Sequence, residues 1–401
     1  MIGWPGAEPL FWAALLLLAY TYAGYPLVMW LRARARPRPW RSGGALPTVT
    51  IVVVAYNEAP RIERRLQNLL TLDYPASRVN VLVASDGSTD GTAARARAVD
   101  PRRVTVVAFD QRRGKPAVLD DVVPRARGDV VVLADARQHF ERRALRALAA
   151  PFTDPSVGAV SGELMLLSLH STPGADGAGL YWRYEKAIRR AESLVGSTVG
   201  ATGAIYAIRR RLFEPIPEDT LLDDVLIPVH IARQGYRVVL VSEARAWDRV
   251  MPVRHEFGRK VRTIAGNFQL LARERWLLSP LQNPLWFQTV SHKALRLLGP
   301  ALLAVTFLAN LPLAAHPVYG LALAGQVICY TAAAAGWLVQ RAGRSPRWLT
   351  PPYMFCVLNW ATVVAFARFA SGRQPVTWQT AVLSDDLATV PALGTAQRKS
   401  A

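Results

Sequence analysis

The chain has 401 residues, 51% of them hydrophobic, and a formal net charge of +19. Spread over a soluble surface that charge would suit nucleic acid, but here arginine clusters alternate with the longest apolar runs, which is the pattern of membrane topology and argues against a nucleic-acid partner. Cys329 and Cys356 are the only cysteines and both lie in apolar runs, so neither a disulfide framework nor a cysteine metal site is available.

In chain order, the first element is an apolar segment over about 10–31, long enough at roughly 20 residues per crossing to span hydrocarbon. It is followed by RARARPRPWR (32–41) and has no positive charge before it, the wrong flank order for a cleaved signal peptide. Three further spans are expected at 297–315, 318–340 and 353–371. The arginines at 32–41 and at 341, 344 and 347 mark cytoplasmic sides, while AAHPVYG (314–320) carries no Lys or Arg. This topology makes the chain an integral protein of the inner (cell) membrane with residues 32–296 cytoplasmic; Arg368 and Arg373 leave the side of the C-terminus open.

Between the crossings, apolar β-branched runs at 49–54, 79–83, 104–109 and 129–134 alternate with arginine- and alanine-rich helical stretches. Strands apolar on both faces and separated by helices predict parallel βαβ units, whose ligands sit at the carboxyl ends of the strands. The first strand runs into Ala55-Tyr56-Asn57-Glu58, the second into Ser85-Asp86-Gly87-Ser88-Thr89-Asp90-Gly91, and the fourth into Asp135. The third leads through Asp110-Gln111-Arg112-Arg113 to Gly114-Lys115, a basic loop opening a helix. Asn57, Ser88 or Asp90 taken singly reads equally well as a helix cap. Acids at adjacent strand ends with a basic loop between them suit a nucleotide better: carboxylates accept from base and ribose, and the lysine faces phosphate. Only five of the 48 basic residues are lysines (115, 186, 260, 293, 399), which marks Lys115 further. No P-loop or GxGxxG pattern is present, so an ATPase or a dinucleotide enzyme is poorly supported.

The ordered motifs VVVAYNE (52–58), ASDGSTDGT (84–92), RGKPAVLDD (113–121), LADAR (133–137), ATGAIYAIRR (201–210) and LLDDVLIPVHIARQGYRV (221–238) resemble the family-2 glycosyltransferases. The resemblance covers about residues 47–296 and is to the membrane-integrated branch of cellulose, hyaluronan and poly-N-acetylglucosamine synthases. It implies an α/β GT-A fold, a Rossmann-like nucleotide-binding sheet, in a cytoplasmic domain with flanking transmembrane helices. The expected division is a transmembrane helix to 31, a basic linker over 32–46 and a GT-A domain over 47–280. An interfacial amphipathic helix over 281–296, three transmembrane helices over 297–372 and a tail over 373–401 complete it.

Carried over by position, the resemblance implies that Tyr56, Asn57, Glu58 and Asp86 meet the nucleoside, with Lys115 close to the base or phosphates. Asp135 matches the first acid of a DxD motif whose second acid is replaced by Arg137. Three readings of Arg137 stay open. A divalent cation (Mg²⁺ or Mn²⁺) still binds at Asp135, completed by diphosphate oxygens, water and His255; Arg137 itself neutralises the diphosphate; or Arg137 pairs with a nearby acid. Asp224 aligns with the catalytic base of an inverting displacement, with Asp223 in support, and adjacent carboxylates raise one another's pKa. A QxxRW motif is absent from HEFGRKVRTIAGNFQ (255–269), where Arg262 is the remaining candidate for the leaving group. Thr202, Gly203 and Ala204 fall where the family holds its acceptor. In NPLWFQTVSHKALRLL (283–298), mixed aromatic and basic residues read as the interfacial helix.

The activity implied is transfer of a sugar from a nucleotide-diphosphate donor, uridine-based, to a polysaccharide or lipid-linked acceptor at the membrane. A catalytically silent nucleotide-sugar-binding subunit is the alternative, and a pure transporter does not account for acids at the strand ends. Four crossings give less wall for a channel than polymer synthases use, which leaves homo-oligomers, secretion partners and a non-processive reaction open.

Overall fold

The computed structural model describes residues 6–41, 43–167, 175–249, 253–342, 346 and 348–376. Its strands are β1 Val49–Ala55, β2 Val79–Asp86, β3 Val104–Phe109, β4 Val130–Asp135, β5 His139–Phe140, β6 Val157–Leu167, β7 Ile205–Arg209 and β8 Arg237–Arg249. They form one sheet in the order β3-β2-β1-β4-β7-β6-β8-β5. The first four are parallel, as the alternation of apolar runs with helical stretches predicts. β7 runs antiparallel to both β4 and β6, and β8 pairs parallel with β6.

The sheet is buried on both faces because its central strands are apolar at nearly every position. Val49, Ile51 and Val53 of β1 and Val130 and Val132 of β4 enter one core with Ile62, Leu66 and Leu69 of helix α2. Val52, Val54, Val131 and Leu133 enter the opposite core with Leu119 and Val122 of α4. Each such side chain contributes roughly 1.5–3 kcal/mol by leaving water. The helices are α1 Ala7–Ala35, α2 Ala59–Leu70, α3 Thr92–Val99, α4 Lys115–Val122, α5 Ala144–Ala149 and α6 Ala175–Val195. They continue as α7 Asp223–Arg233, α8 Val253–Arg273, α9 Trp286–Leu297, α10 Gly299–Leu313, α11 Pro317–Arg341 and α12 Thr350–Ala370.

Helices α1, α11 and α12 are long and apolar enough to cross a membrane. The span expected at 297–315 is different: α9 and α10 meet at a 59° bend. The bend falls just ahead of Gly299-Pro300, where proline removes a backbone N–H and crowds the preceding turn. The fifteen residues of α10 cover only about 22 Å at 1.5 Å each, short of the roughly 30 Å of hydrocarbon. The pair counts as a fourth span only if it crosses as one broken unit.

The segment expected to be an interfacial helix is helical as α9, with a π-helical turn over Thr289–Ala294. Its polar residues turn into the protein. His292 is buried and Arg296 half-buried, both against carboxylates of α6. Membrane and sheet elements share a core, since Ala361 and Ala365 of α12 join the layer beneath β1 and β4. Phe268 of α8 lies 5.3 Å from Phe366 and 6.0 Å from Phe369, ring centroid to ring centroid.

Candidate active site

The parallel strands end along one edge, and the loops there are tied together by short polar side chains. Asn57 has φ 52, a left-handed conformation that asparagine tolerates. Its backbone N–H donates to Ser88 Oγ at 3.1 Å and its Oδ1 accepts from Thr89 N at 2.9 Å. Asp90 caps two helices, accepting from Ala59 N at 2.9 Å and Thr92 N at 3.0 Å. Although burial works against it, hydrogen bonds from Thr92 and Ala59 hold its carboxyl below the usual range. Asp90 therefore has the capping role that the sequence allowed it.

Asp86 is fully buried, and its two oxygens accept from Arg113 N at 2.6 Å and Gly114 N at 2.9 Å. It fixes the basic loop that starts α4. Two residues expected at the nucleoside, Asn57 and Asp86, thus have side-chain oxygens occupied by backbone N–H groups. Tyr56 is covered by the Arg112 guanidinium, 3.8 Å above its ring. Glu58 is buried beside Arg61 Nη1 at 3.0 Å, and burial raises its carboxyl despite that partner.

The loop held by Asp86 delivers Lys115 to the centre of the edge. Its Nζ lies 3.3 Å from Asp135 Oδ1 at the end of β4 and 3.1 Å from Asp223 Oδ2 at the start of α7. Burial alone would neutralise this ammonium, but Asp223 and Asp135 hold it well above its ordinary pKa. Asp223 also accepts from Tyr206 Oη at 3.2 Å. Asp224, the next residue, accepts from Gly203 N through Oδ2 at 3.0 Å. Burial first, then the neighbouring Asp223, pushes the Asp224 carboxyl up to about 6, against Lys115 and Lys293.

Register explains why Gly203 is there. Ala134 of β4 pairs with Ile205 of β7, and because β7 is antiparallel its beginning meets the carboxyl end of β4. The residues ahead of Ile205 therefore reach the same edge as Asp135. A Cβ on Gly203 would stand 2.8 Å from Asp224 Oδ2, so glycine is required by the approach of that carboxylate. Thr202 accepts from Arg189 Nη1 at 3.0 Å, and Ala204 is buried in the sheet core.

Arg137 follows the third of the three readings open from sequence. Its guanidinium makes a forked contact with the buried Asp248 of β8, Nε at 3.1 Å from both oxygens and Nη2 at 2.7 Å from Oδ2. Gln138 adds a donor at 3.0 Å. Arg262 Nη2 reaches the carbonyl of Val376 at 3.1 Å, and its Nε has no acceptor among the described residues. The side chain of His255 lies outside the described residues.

Among the described residues no group of three or more His, Cys, Asp or Glu is placed to hold a metal ion. The donor set still fits a cation that arrives with phosphate oxygens. Asp135 is the open carboxylate, its side chain 44% exposed, and one carboxylate plus phosphates and water is a common arrangement for Mg²⁺.

Sequence reasoning missed Asp248, Tyr206, Arg189 and Lys293. Asp248 and Tyr206 sit in alternating strand patterns that carry a weak signal; Arg189 and Lys293 are one charge among several on their helices.

A family model described as "Glycosyltransferase like family 2" matches residues 47–276. A beta-monoglucosyldiacylglycerol synthase of Nostoc sp. is 33% identical over 132 residues, 31% of this chain and 28% of that protein. An N-acetylglucosaminyltransferase of Rhizobium sp. is 25% identical over 319 residues, 74% of this chain and 69% of that protein. The chain spans less than half the length of the monoglucosyldiacylglycerol synthases it matches. A mannosyltransferase from Pyrobaculum calidifontis, solved in complex with GDP-Man and Mn²⁺, superposes with a TM-score of 0.69 at 25% identity, covering 91% of this chain and 99% of that one. The superposition gives the chain a mixed α/β GT-A-like fold.

Two variants test the geometry. Gly203→Ala forces the Asp224 carboxylate aside, so turnover should fall while the thermal unfolding temperature changes little. Asp224→Asn keeps an acceptor for Gly203 N–H and removes a carboxyl whose folded pKa lies above its unfolded one. The ionised form costs the folded state about 3 kcal/mol above pH 6, and that cost fades towards pH 4. At pH 7.5 the variant should unfold at a higher temperature than the parent, with the gap closing in acid.

Proposed function

The chain belongs to glycosyltransferase family 2, and on that premise we propose that it transfers a sugar, with inversion, from a nucleotide-diphosphate donor to a lipid or lipid-linked acceptor at the membrane face. The observation that carries this reading is the constellation Lys115, Asp135, Asp223 and Asp224 on the carboxyl edge of the sheet. That the chain is a nucleotide-sugar enzyme follows from its family; the residue roles, the acceptor and the stereochemistry are our inference.

In the proposed reaction the acceptor oxygen attacks the anomeric carbon on the face opposite the diphosphate. Asp224 takes the hydroxyl proton, the bond from that carbon to the diphosphate oxygen breaks, and the electron pair stays with the leaving group. A carboxyl near pH 6 is mostly ionised at neutral pH yet more basic than an exposed aspartate, as a general base requires. Asp223 and Tyr206 hold Lys115 beside the departing charge, and Arg262 is the second cation on this reading. When a divalent cation is bound, Asp135 and the donor phosphates would hold it, and it would supply charge neutralisation at the diphosphate. Tyr56 and Arg112 offer stacked planar surfaces to a base, and Glu58 lies behind them. We place this region, residues 47–280, on the cytoplasmic side, where the arginine clusters put it.

Uridine is the base implied by the resemblance to polymer synthases. Guanosine is the second reading, favoured by the GDP-Man in the Pyrobaculum structure. The acceptor reading follows from the continuity of the site's helices with the membrane helices and from the bent α9–α10 pair, beside which only three unbroken helices among the described residues are long and apolar enough to cross.

Membranes containing the full chain, incubated with a panel of radiolabelled UDP- and GDP-sugars, should move label from one donor into the lipid extract. Asp224→Asn should abolish transfer with donor binding by calorimetry retained; full activity in that variant would refute the base. Exhaustive chelation should stop turnover and Mn²⁺ or Mg²⁺ should restore it. Because the base must be ionised, kcat/KM should fall roughly tenfold per pH unit below about 6 and level off above it. A silent subunit would bind donor and neither transfer nor hydrolyse it.

A further inference from the structure

Helix α6 joins the sheet to the membrane elements through two charged faces. On the sheet side, Lys186 and Arg190 pair with the buried Glu163 of β6 at 3.2 and 2.8 Å. Arg189 donates to Ser161 Oγ and Thr202 Oγ1, both at 3.0 Å. On the membrane side, Glu192 accepts from Tyr25 Oη of α1 at 2.5 Å and stands 2.6 Å from His292 Nδ1. Glu185 stands 2.9 Å from His292 Nε2 and 2.7 Å from Arg296 Nη1. The Glu185 carboxylate and Oε1 of Glu192 are thereby taken, while Glu192 Oε2 is buried with no hydrogen-bond partner among the described residues.

Two lysines in the same region have no such partner. Among the described residues neither Lys260 of α8 nor Lys293 of α9 makes an ion pair, although Glu256 and then Glu185 act on the charge of Lys260, and Glu185 and Glu192 on that of Lys293. The Lys260 ammonium lies over the rings of Tyr181 and Trp182, 4.8 Å from each centroid. Burial lowers the Lys260 pKa from its ordinary value. An inward ammonium without a counter-ion is costly, and in a chain that uses arginine for all but five of its basic residues these two positions stand out.

Their placement relative to Asp224 follows from two anchors. α6 is fastened at Arg189 to Thr202, next to Gly203 and hence to Asp224. α8 is fastened where Gly266 meets the Leu222 side chain, one residue ahead of Asp223, a contact too close for any Cβ. Trp182 lies seven residues before Arg189 and Lys260 six before Gly266, so at 1.5 Å per residue their meeting point stands roughly 10 Å along each helix from its anchor. The meeting point faces the membrane elements, since Tyr184 Oη donates to the carbonyl of Tyr22 in α1 at 2.8 Å. Tyr, Trp and Lys together are also the residues that settle at lipid headgroup depth.

Resting on the function proposed above, we propose that Lys260 and the rings of Tyr181 and Trp182 form the acceptor subsite, and that it takes the phosphoryl group of a lipid-linked phospho-sugar. The ammonium meets the phosphoryl oxygens, the rings lie against the lipid-proximal part of the headgroup, and the sugar extends to place a hydroxyl at Asp224. Trp182 supplies from α6 the aromatic surface that the QxxRW tryptophan would have supplied from α8.

The test uses the full chain in phosphatidylcholine vesicles with whichever donor the panel identifies. One set of vesicles contains a polyprenyl-diphosphate N-acetylglucosamine and the other an uncharged glucosyl-diacylglycerol. The parent should glycosylate the phosphorylated acceptor with a kcat/KM at least tenfold higher. Lys260→Met should raise the KM for that acceptor roughly tenfold or more and leave the donor KM within about twofold, with Lys260→Arg recovering most of the loss. Equal use of both acceptors by the parent would overturn the proposal. So would a Lys260→Met variant whose donor KM rises while the acceptor KM does not, which would assign the charge to the donor diphosphate. A uniform fall with both acceptors would make these residues a bulk-lipid anchor and overturn it as well. A parent that turns over no donor fails the function reading instead, so the two failures are told apart.

Discussion

One buried ammonium between two carboxylates organises this protein. Lys115 bridges Asp135 on the last parallel strand and Asp223 on the helix that follows the antiparallel strand. Those segments are far apart in sequence, and without the cation their acids would repel one another across the edge of the sheet. Removing one partner of such a pair leaves an uncompensated buried charge, at a cost of about 3–5 kcal/mol. The same constraint sets the state of Asp224. Burial and Asp223 favour its protonated form, Lys115 the ionised form, and the balance falls close to neutral pH. Asp86 belongs to this arrangement at one remove, because it fixes the loop from which Lys115 projects.

A second organising element is α6, which carries charge to both of its sides. Its bonds to Glu163, Ser161 and Thr202 secure it to the sheet beside the proposed base. Its carboxylates receive His292 and Arg296 from α9 and Tyr25 from α1. Displacement of the membrane helices would therefore be felt at Thr202 and Gly203, within one residue of a group that touches Asp224. Polar contacts of this kind are directional, and they fix the orientation of the sheet against the membrane elements more sharply than apolar packing does. The break before Gly299-Pro300 fits the same picture, since a straight continuation of α9 would not need to leave His292 and Arg296 at the carboxylates.

The two departures from the family pattern have local explanations. Arg137 stands where a second acid would be, and it is neutralised by Asp248, a residue on β8 that nothing in the local motif reveals. The cation chemistry of the edge thus falls to Lys115 and to whatever accompanies the donor, not to Arg137. On the proposal above, the tryptophan absent from α8 has a counterpart in Trp182 of α6, whose ring lies under the Lys260 ammonium.

The sequence by itself determined the parallel half of the sheet, the apolar helices at 10–31, 318–340 and 353–371, the presence of Asp86 and Asp135 at strand ends, and Lys115 at the start of a helix. These features follow from local periodicity and from the rule that parallel strands expose their carboxyl ends to ligands. Even the doubt over Asn57 and Asp90 was legible, because capping depends on neighbours a few positions away. Only the tertiary structure decided that Arg137 pairs with Asp248, that His292 is inside, and that Gly203 is needed by Asp224. Each of these depends on a partner between 20 and more than 100 positions distant or on the register of an antiparallel strand. Such partners leave no periodic trace in a single chain, because a buried charge is specified by what faces it in space and not by what flanks it in sequence.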